Sequence, residues 1–211
     1  MLSRLDEIAD QLRVQFDALD RAREEAYVLS RQVVRASSVA IKHAHRQEMD
    51  QAREQLAEAR ALTHRMLGAL AAAPELRYGG FVHDSEKEYC EAAMVVAALN
   101  EEVLPTPEEL GVYAPAWLNG LSEVVGEMRR HALDMIRLDR VPEAEKALEI
   151  MESIYQTIMT FDYPNAISQG LRGRSDAARG LIERTRGDLT NALQASRLEH
   201  RMKELEAKLD A

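Results

Sequence analysis

The stretch REEAYVLSRQVVRASSVAIKHAHR, Arg23 to Arg46, decides the fold and poses the question of function. Between Ala26 and Gln47 there is no Asp or Glu, yet Arg31, Arg35, Lys42 and Arg46 are present, together with His43 and His45. At about 100° per residue these four cations fall within an arc of roughly 60°, and Leu29, Val33, Ala36, Ala40 and Ala44 fall on the opposite side. A helix here carries an apolar stripe on one face and a basic stripe, roughly 22 Å long, on the other. The period continues back through Leu19, Phe16, Leu12, Ile8 and Leu5, so one unusually long helix runs from near Ser3 to past Arg46.

The same pattern continues outward. A second helix spans about Glu48 to Leu70 and stops before AAAPELRYGGF, where Pro74, Gly79 and Gly80 interrupt the period. A third is expected to start at Asp84 or Ser85, both good N-caps, with Glu88 as the capping partner three residues after Ser85. LPTPEELGVYAP holds at most one helical turn, and the next helix runs from about Trp117 to Leu138. Pro142 suits the first turn of a fifth helix ending at FDYPNAI, and a long last helix runs from about Ser175. With ten Gly, six Pro and 5% aromatic residues against abundant Ala, Leu, Glu and Arg, the fold class is all-α, a single domain over 1–211. In the tail, Leu198, Met202, Leu205 and Leu209 recur at heptad spacing, the mark of a seam against its own core or a second subunit.

The lone Cys90 excludes an internal disulfide framework and a thiolate zinc cluster, and the charged start MLSRLDEIAD is unlike a signal peptide. The apolar run Ala92 to Leu99 is far short of the roughly 20 residues a bilayer requires. A soluble, cytoplasmic protein without a membrane partner is expected. A net charge of −9 argues against binding nucleic acid over the whole surface. By charge alone the α-helical basic stripe is equally a solvated face or a track for a phosphate backbone. A second cluster, including Arg172, Arg174, Arg179, Arg184 and Arg186, is diluted by Asp176 and Glu183. His43 and His45 point to different sides of their helix and read as surface residues.

EKEYCEAAMVVAALN, Glu86 to Asn100, places Glu88 and Glu91 beside the longest apolar run. Glu88 shares its stripe with Ala92, Val95 and Leu99, and Glu91 lies about 60° away. In WLNGLSEVVGEMRRHAL, Glu123 and Glu127 lie four apart, opposite Leu121, Val125, Met128 and Ala132. Such pairs are ordinarily solvated or capping groups, since Glu pairs on helices are common; were the two pairs to converge, they would make a nest of hard oxygen ligands for Mg²⁺ or Mn²⁺. A ferritin-like di-iron site needs Glu-x-x-His, and neither pair supplies it. The chain has no GxxxxGK[ST] loop, GxGxxG, GxSxG or HExxH motif. Cys90 reads as a small buried apolar residue.

EYCEA, GLSEVVGEMRRHAL, MESIYQTIMTFDYP and GLRGRSDAARGLIERTRGDL, with the opening stretch, resemble the translin superfamily, translin and translin-associated factor X, over nearly the whole chain. The likeness is to an archaeal-type member closer to the factor X branch. It implies about seven helices and a closed, barrel-shaped homo-oligomer, hexamer to octamer, whose interior is lined by basic and acidic residues. In the factor X branch it implies metal-dependent endonucleolytic cleavage of single-stranded RNA by acids in EYxEA and DLTGE motifs. Glu88 and Glu91 match the first motif. Glu127 matches the last Glu of the second, and Glu123 stands where that motif has Asp, keeping an oxygen ligand on an arm one methylene longer. The GTP-binding segment attributed to translin has no counterpart in IRLDRVPEA.

The resemblance thus implies an endoribonuclease whose catalytic and metal-binding acids are Glu88, Glu91, Glu123 and Glu127, with Mg²⁺, or Mn²⁺, as cofactor. Its RNA-binding residues are Arg31, Arg35, Lys42, Arg46, Arg172 and Arg174. The alternatives are a non-catalytic single-stranded RNA or DNA-binding protein and a helical scaffold.

Overall fold

A computed structural model of the chain describes residues 2–209, with side chains from residue 4 onward. Among the described residues there are eight α-helices, one 3-10 turn and no strand. Backbone packing divides the chain into two compact units, one ending at Gly120 and one starting at Leu121.

In the first unit, α1 (Leu2–His45) turns back through three residues into α2 (Met49–Ala69), with Gln47 in the left-handed region at φ 62°. After the 3-10 turn Pro74–Leu76 come α3 (Gly80–Leu99), the one-turn α4 (Pro107–Leu110) and the start of α5 (Ala114–Arg137). The apolar stripe of α1 is buried as its spacing predicts: Leu29, Val33, Ala36, Ala40 and Ala44 are all at most 6% exposed. Most of these residues are Ala, as are Ala52 and Ala59 of α2, so the helices α1, α2 and α3 approach closely. Ala44, Ala52 and Val96 close the end of this core, with Met49 and Leu99 packed on it.

The first half of α1 is helical but uncovered. Leu5, Ile8, Leu12 and Phe16 are 45% to 64% exposed. The reason is length: α1 has 44 residues and α2 has 21, about 66 Å against about 32 Å, so the hairpin partner reaches only half way.

Helix α3 starts a full turn before Asp84. Phe81 packs edge-on against Tyr27 at 5.8 Å, which extends the helix into the segment where Gly79 and Gly80 signalled a break. Ser85 is therefore interior and donates to the carbonyl of Val82 at 2.9 Å, so Glu88 is not its capping partner. Thr106 is the residue that forms a capping box, with Glu109 at the start of α4, and Gly111 ends that turn at φ 71°.

In the second unit, α6 (Val141–Ile158), α7 (Asn165–Ser168) and α8 (Leu171–Leu209) follow the remainder of α5. Leu171, Ser175, Ala178, Ile182, Thr185 and Leu189 make one buried stripe on α8, which packs on α6 through Val141, Ala144, Leu148, Met151 and Ile158. The helix then continues without cover: Leu198, Met202, Leu205 and Leu209 are 54% to 85% exposed. Counted at about 100° per residue, that seam lies on the face of α8 opposite its core stripe. No described helix is long and apolar enough to cross a membrane.

Candidate functional site

The basic stripe is a surface feature. Arg31, Arg35, Lys42 and Arg46 are all exposed, and none has an ion-pair partner among the described residues. They emerge from the face of α1 opposite its buried stripe, so the packing that orders α1 also aims them at solvent. His43 is half-buried and its Nδ1 lies 2.6 Å from Glu48 Oε2, which ties the α1–α2 turn together and takes this histidine out of the exposed row.

Helix α3 is buried almost all round, from Val82 to Ala97. Asp84 is exposed, and Glu88 is partly so, with its side chain 29% exposed and 2.9 Å from Lys87 Nζ. Glu91 is 9% exposed. Cys90, at 0% exposure, is the small buried residue expected, and burial raises its thiol pKa well above the usual range. Tyr89 is likewise enclosed, its phenol pushed up to about 12, chiefly by desolvation.

Sequence reading missed the acid that holds α3 in place. Glu86 is fully buried and accepts from both guanidinium nitrogens of Arg77, at 2.8 and 3.0 Å. Desolvation raises its pKa, while the Arg77 hydrogen bonds and charge oppose that rise. Arg77 also stacks over Tyr113 at 5.0 Å, and the Tyr113 hydroxyl lies 2.7 Å from His83 Nδ1. Glu86 shares a face with Tyr89, Cys90 and Ala93, at spacings of three, four and seven, which is the one signal that could have marked it as interior.

On α5, Leu121, Val125, Met128 and Ala132 are buried, at most 3% exposed, as their spacing predicts. Glu123 and Glu127 lie on the opposite side of the helix, with side chains 39% and 25% exposed. The repulsion expected of two carboxylates four apart is relieved by one cation each: Arg174 Nε at 3.2 Å from Glu123, and Arg130 Nη1 at 3.7 Å from Glu127. Arg174 is thus half-buried and engaged, whereas Arg172 is exposed without an ion-pair partner among the described residues. Arg129 bridges α5 to α8 through Thr185 Oγ1 at 2.8 Å and Asp188 at 2.9 Å.

The donor chemistry of the four glutamates, oxygen only, suits a small hard cation and no soft one. Among the described residues no three His, Cys, Asp or Glu side chains are grouped as a metal site. Mg²⁺ needs no such group, since it is commonly held by one or two carboxylates, with water and substrate phosphate completing the shell.

The sequence matches no protein-family model. An uncharacterized protein of Methanocaldococcus jannaschii is 29% identical over 189 residues, covering 89% of this chain and 83% of that protein. Among solved structures, AfC3PO aligns with a TM-score of 0.80 at 33% identity, and AfC3PO in complex with duplex RNA with 0.75 at 32%, each over 89% of this chain and 97% of the other. Apo-NeC3PO shares the fold, with a TM-score of 0.78 at 22% identity over 87% of this chain and 96% of that one. The chain thus shares the all-α fold of C3PO chains, which are of the translin and translin-associated factor X type. The chain belongs to the translin superfamily.

Proposed function

We propose that this chain is the subunit of a homo-oligomeric endoribonuclease, Mg²⁺-dependent and cytoplasmic, that binds and cleaves single-stranded RNA inside a closed barrel of six to eight copies. One observation carries the reading: an exposed row of four cations on α1, without ion-pair partners among the described residues, in a chain that has an acid at each of the four positions its family resemblance marks for catalysis. The relative seen with duplex RNA supports an RNA partner; it does not choose between paired and unpaired strands.

Arg31, Arg35, Lys42 and Arg46 would take successive backbone phosphates without reading sequence, leaving the bases accessible, and Arg172 and Arg174 would add contacts from α8. Single-stranded DNA presents the same phosphates and would be bound by the same row. Glu88, Glu91, Glu123 and Glu127 would hold Mg²⁺, or Mn²⁺ in its place. When bound, the ion supplies charge stabilisation at the phosphodiester and a more acidic water. A carboxylate not occupied in ligation is the group available to accept the proton of the attacking water, so no histidine base is needed. Arg174 and Arg130 stand beside Glu123 and Glu127, at 3.2 and 3.7 Å, before substrate arrives.

A second reading, RNA or DNA binding without cleavage, is favoured by the same two arginines, because a carboxylate already paired is a weaker ligand. Incubating a labelled single-stranded RNA with Mg²⁺, with EDTA, and with the Glu123→Ala, Glu127→Ala double variant separates the two. Cleavage that needs Mg²⁺ and is lost in the variant supports the nuclease. Intact RNA throughout leaves the binding protein.

A further inference from the structure

We propose that a cavity of about 740 Å³ formed by the end of α6, the FDYP loop, α7 and the start of α8 is a subsite for one unpaired nucleobase of a bound RNA strand. The inference rests on the RNA-binding reading and adds to it a means of telling unpaired from paired strands. The volume is that of an ordinary small-molecule pocket.

Two aromatic side chains line it, Phe161 and Tyr163, 37% and 58% exposed. Tyr27, Tyr78, Phe81 and Tyr113 all pack against another ring or a guanidinium, whereas Phe161 and Tyr163 have no such partner among the described residues. A free π face at the wall of a polar cavity is what a base stacks on, whatever its identity. Arg172, exposed and without an ion-pair partner among the described residues, lines the same cavity and supplies the cation for an adjoining phosphate. Asn165 and Asp176 also line it. A carboxylate repels phosphate but accepts from the amino and imino N–H groups on a base edge, so the polar lining suits a base and not a lone anion.

The loop is held in shape before any ligand arrives. The Ser168 hydroxyl donates to the carbonyls of Tyr163 and Pro164, both at 3.3 Å, and the N–H groups of Ile167 and Ser168 donate to Pro164 O at 2.8 and 3.0 Å. Gln169 and Gly170, at φ 48° and 93°, turn the chain directly into α8. A platform fixed in this way loses little entropy on binding.

The test uses the full-length protein, a short single-stranded RNA, its blunt duplex, and light scattering for mass. Tyr163→Ala is expected to weaken single-strand binding roughly five- to a hundredfold while leaving duplex affinity and mass unchanged, and Tyr163→Phe to retain the wild-type affinity. Unchanged single-strand affinity in Tyr163→Ala, with wild-type RNA binding intact, overturns the subsite alone. Equal weakening of both RNAs, or a fall in mass, also overturns it; the latter would make the exposed loop a contact between copies. If the wild-type protein retains neither RNA, the RNA-binding reading fails first and the subsite with it.

Discussion

Glu86 shows how one buried charge sets the behaviour of the helix that carries two candidate catalytic acids. It has no exposed surface, and desolvation raises its pKa from the ordinary value of 4.5 against the pull of Arg77. A group with a raised folded-state pKa contributes stability that is complete below its unfolded value and is lost as pH rises through its folded value. Glu86→Gln is uncharged throughout and escapes that loss. Its stability relative to wild type in urea unfolding should therefore rise from pH 4.5 to neutrality; a flat or falling difference would mean that Arg77 keeps the carboxylate ionised. This pair was not legible in the sequence, because Arg77, at the end of the 3-10 turn, and Glu86, inside α3, lie nine residues apart across a connection that no spacing rule describes. Cys90 was legible, since a small apolar residue beside an eight-residue apolar run has few places to go but inward.

At the scale of the element, periodicity identified the faces of α1 and α5 correctly, because each alternates apolar and charged positions at a clear helical period. It failed at the start of α3. There Phe81 and Tyr27 reward one more helical turn across Gly79 and Gly80, and a contact so distant in sequence leaves no local trace. Gly120, in the first unit, sits tightly against α3: a Cβ there would stand 2.7 Å from Cys90 Cβ and 2.8 Å from the Lys87 carbonyl. Gly120→Ala should cost about 1–3 kcal/mol by overpacking, whereas Gly187→Ala, with nothing within 4 Å of the new methyl, should gain up to about 1 kcal/mol by helix propensity. Denaturant midpoints of the two variants check the opposite signs. For the α1 stripe, replacing Arg31, Arg35, Lys42 and Arg46 by Ala should leave the fold intact, since all four are exposed. If each meets a phosphate, the slope of log affinity against log salt for single-stranded RNA should flatten by roughly 3. An unchanged slope would assign the stripe to solvent.

At the scale of the whole molecule, two exposed apolar seams remain after each unit has packed: Leu5, Ile8, Leu12 and Phe16 on α1, and Leu198, Met202, Leu205 and Leu209 on α8. The heptad spacing of the second was readable, but not whether its own core covers it; the structure answers that by placing the seam opposite the core stripe. Exposed seams of this length are characteristic of helices that pair between chains. Ending the chain after Gln194 should lower the solution mass without reducing the thermal stability of the remaining helices, as followed by light scattering and circular dichroism; an unchanged mass would exclude the α8 tail from assembly. The claim that the family's acids cut RNA here is tested most directly by the initial rate of Mg²⁺-dependent cleavage of a labelled single-stranded RNA by wild type and Glu127→Gln. The account predicts a loss of about a hundredfold or more, roughly 3 kcal/mol of transition-state stabilisation, with RNA retention unchanged. Cleavage by Glu127→Gln at the wild-type rate would contradict it.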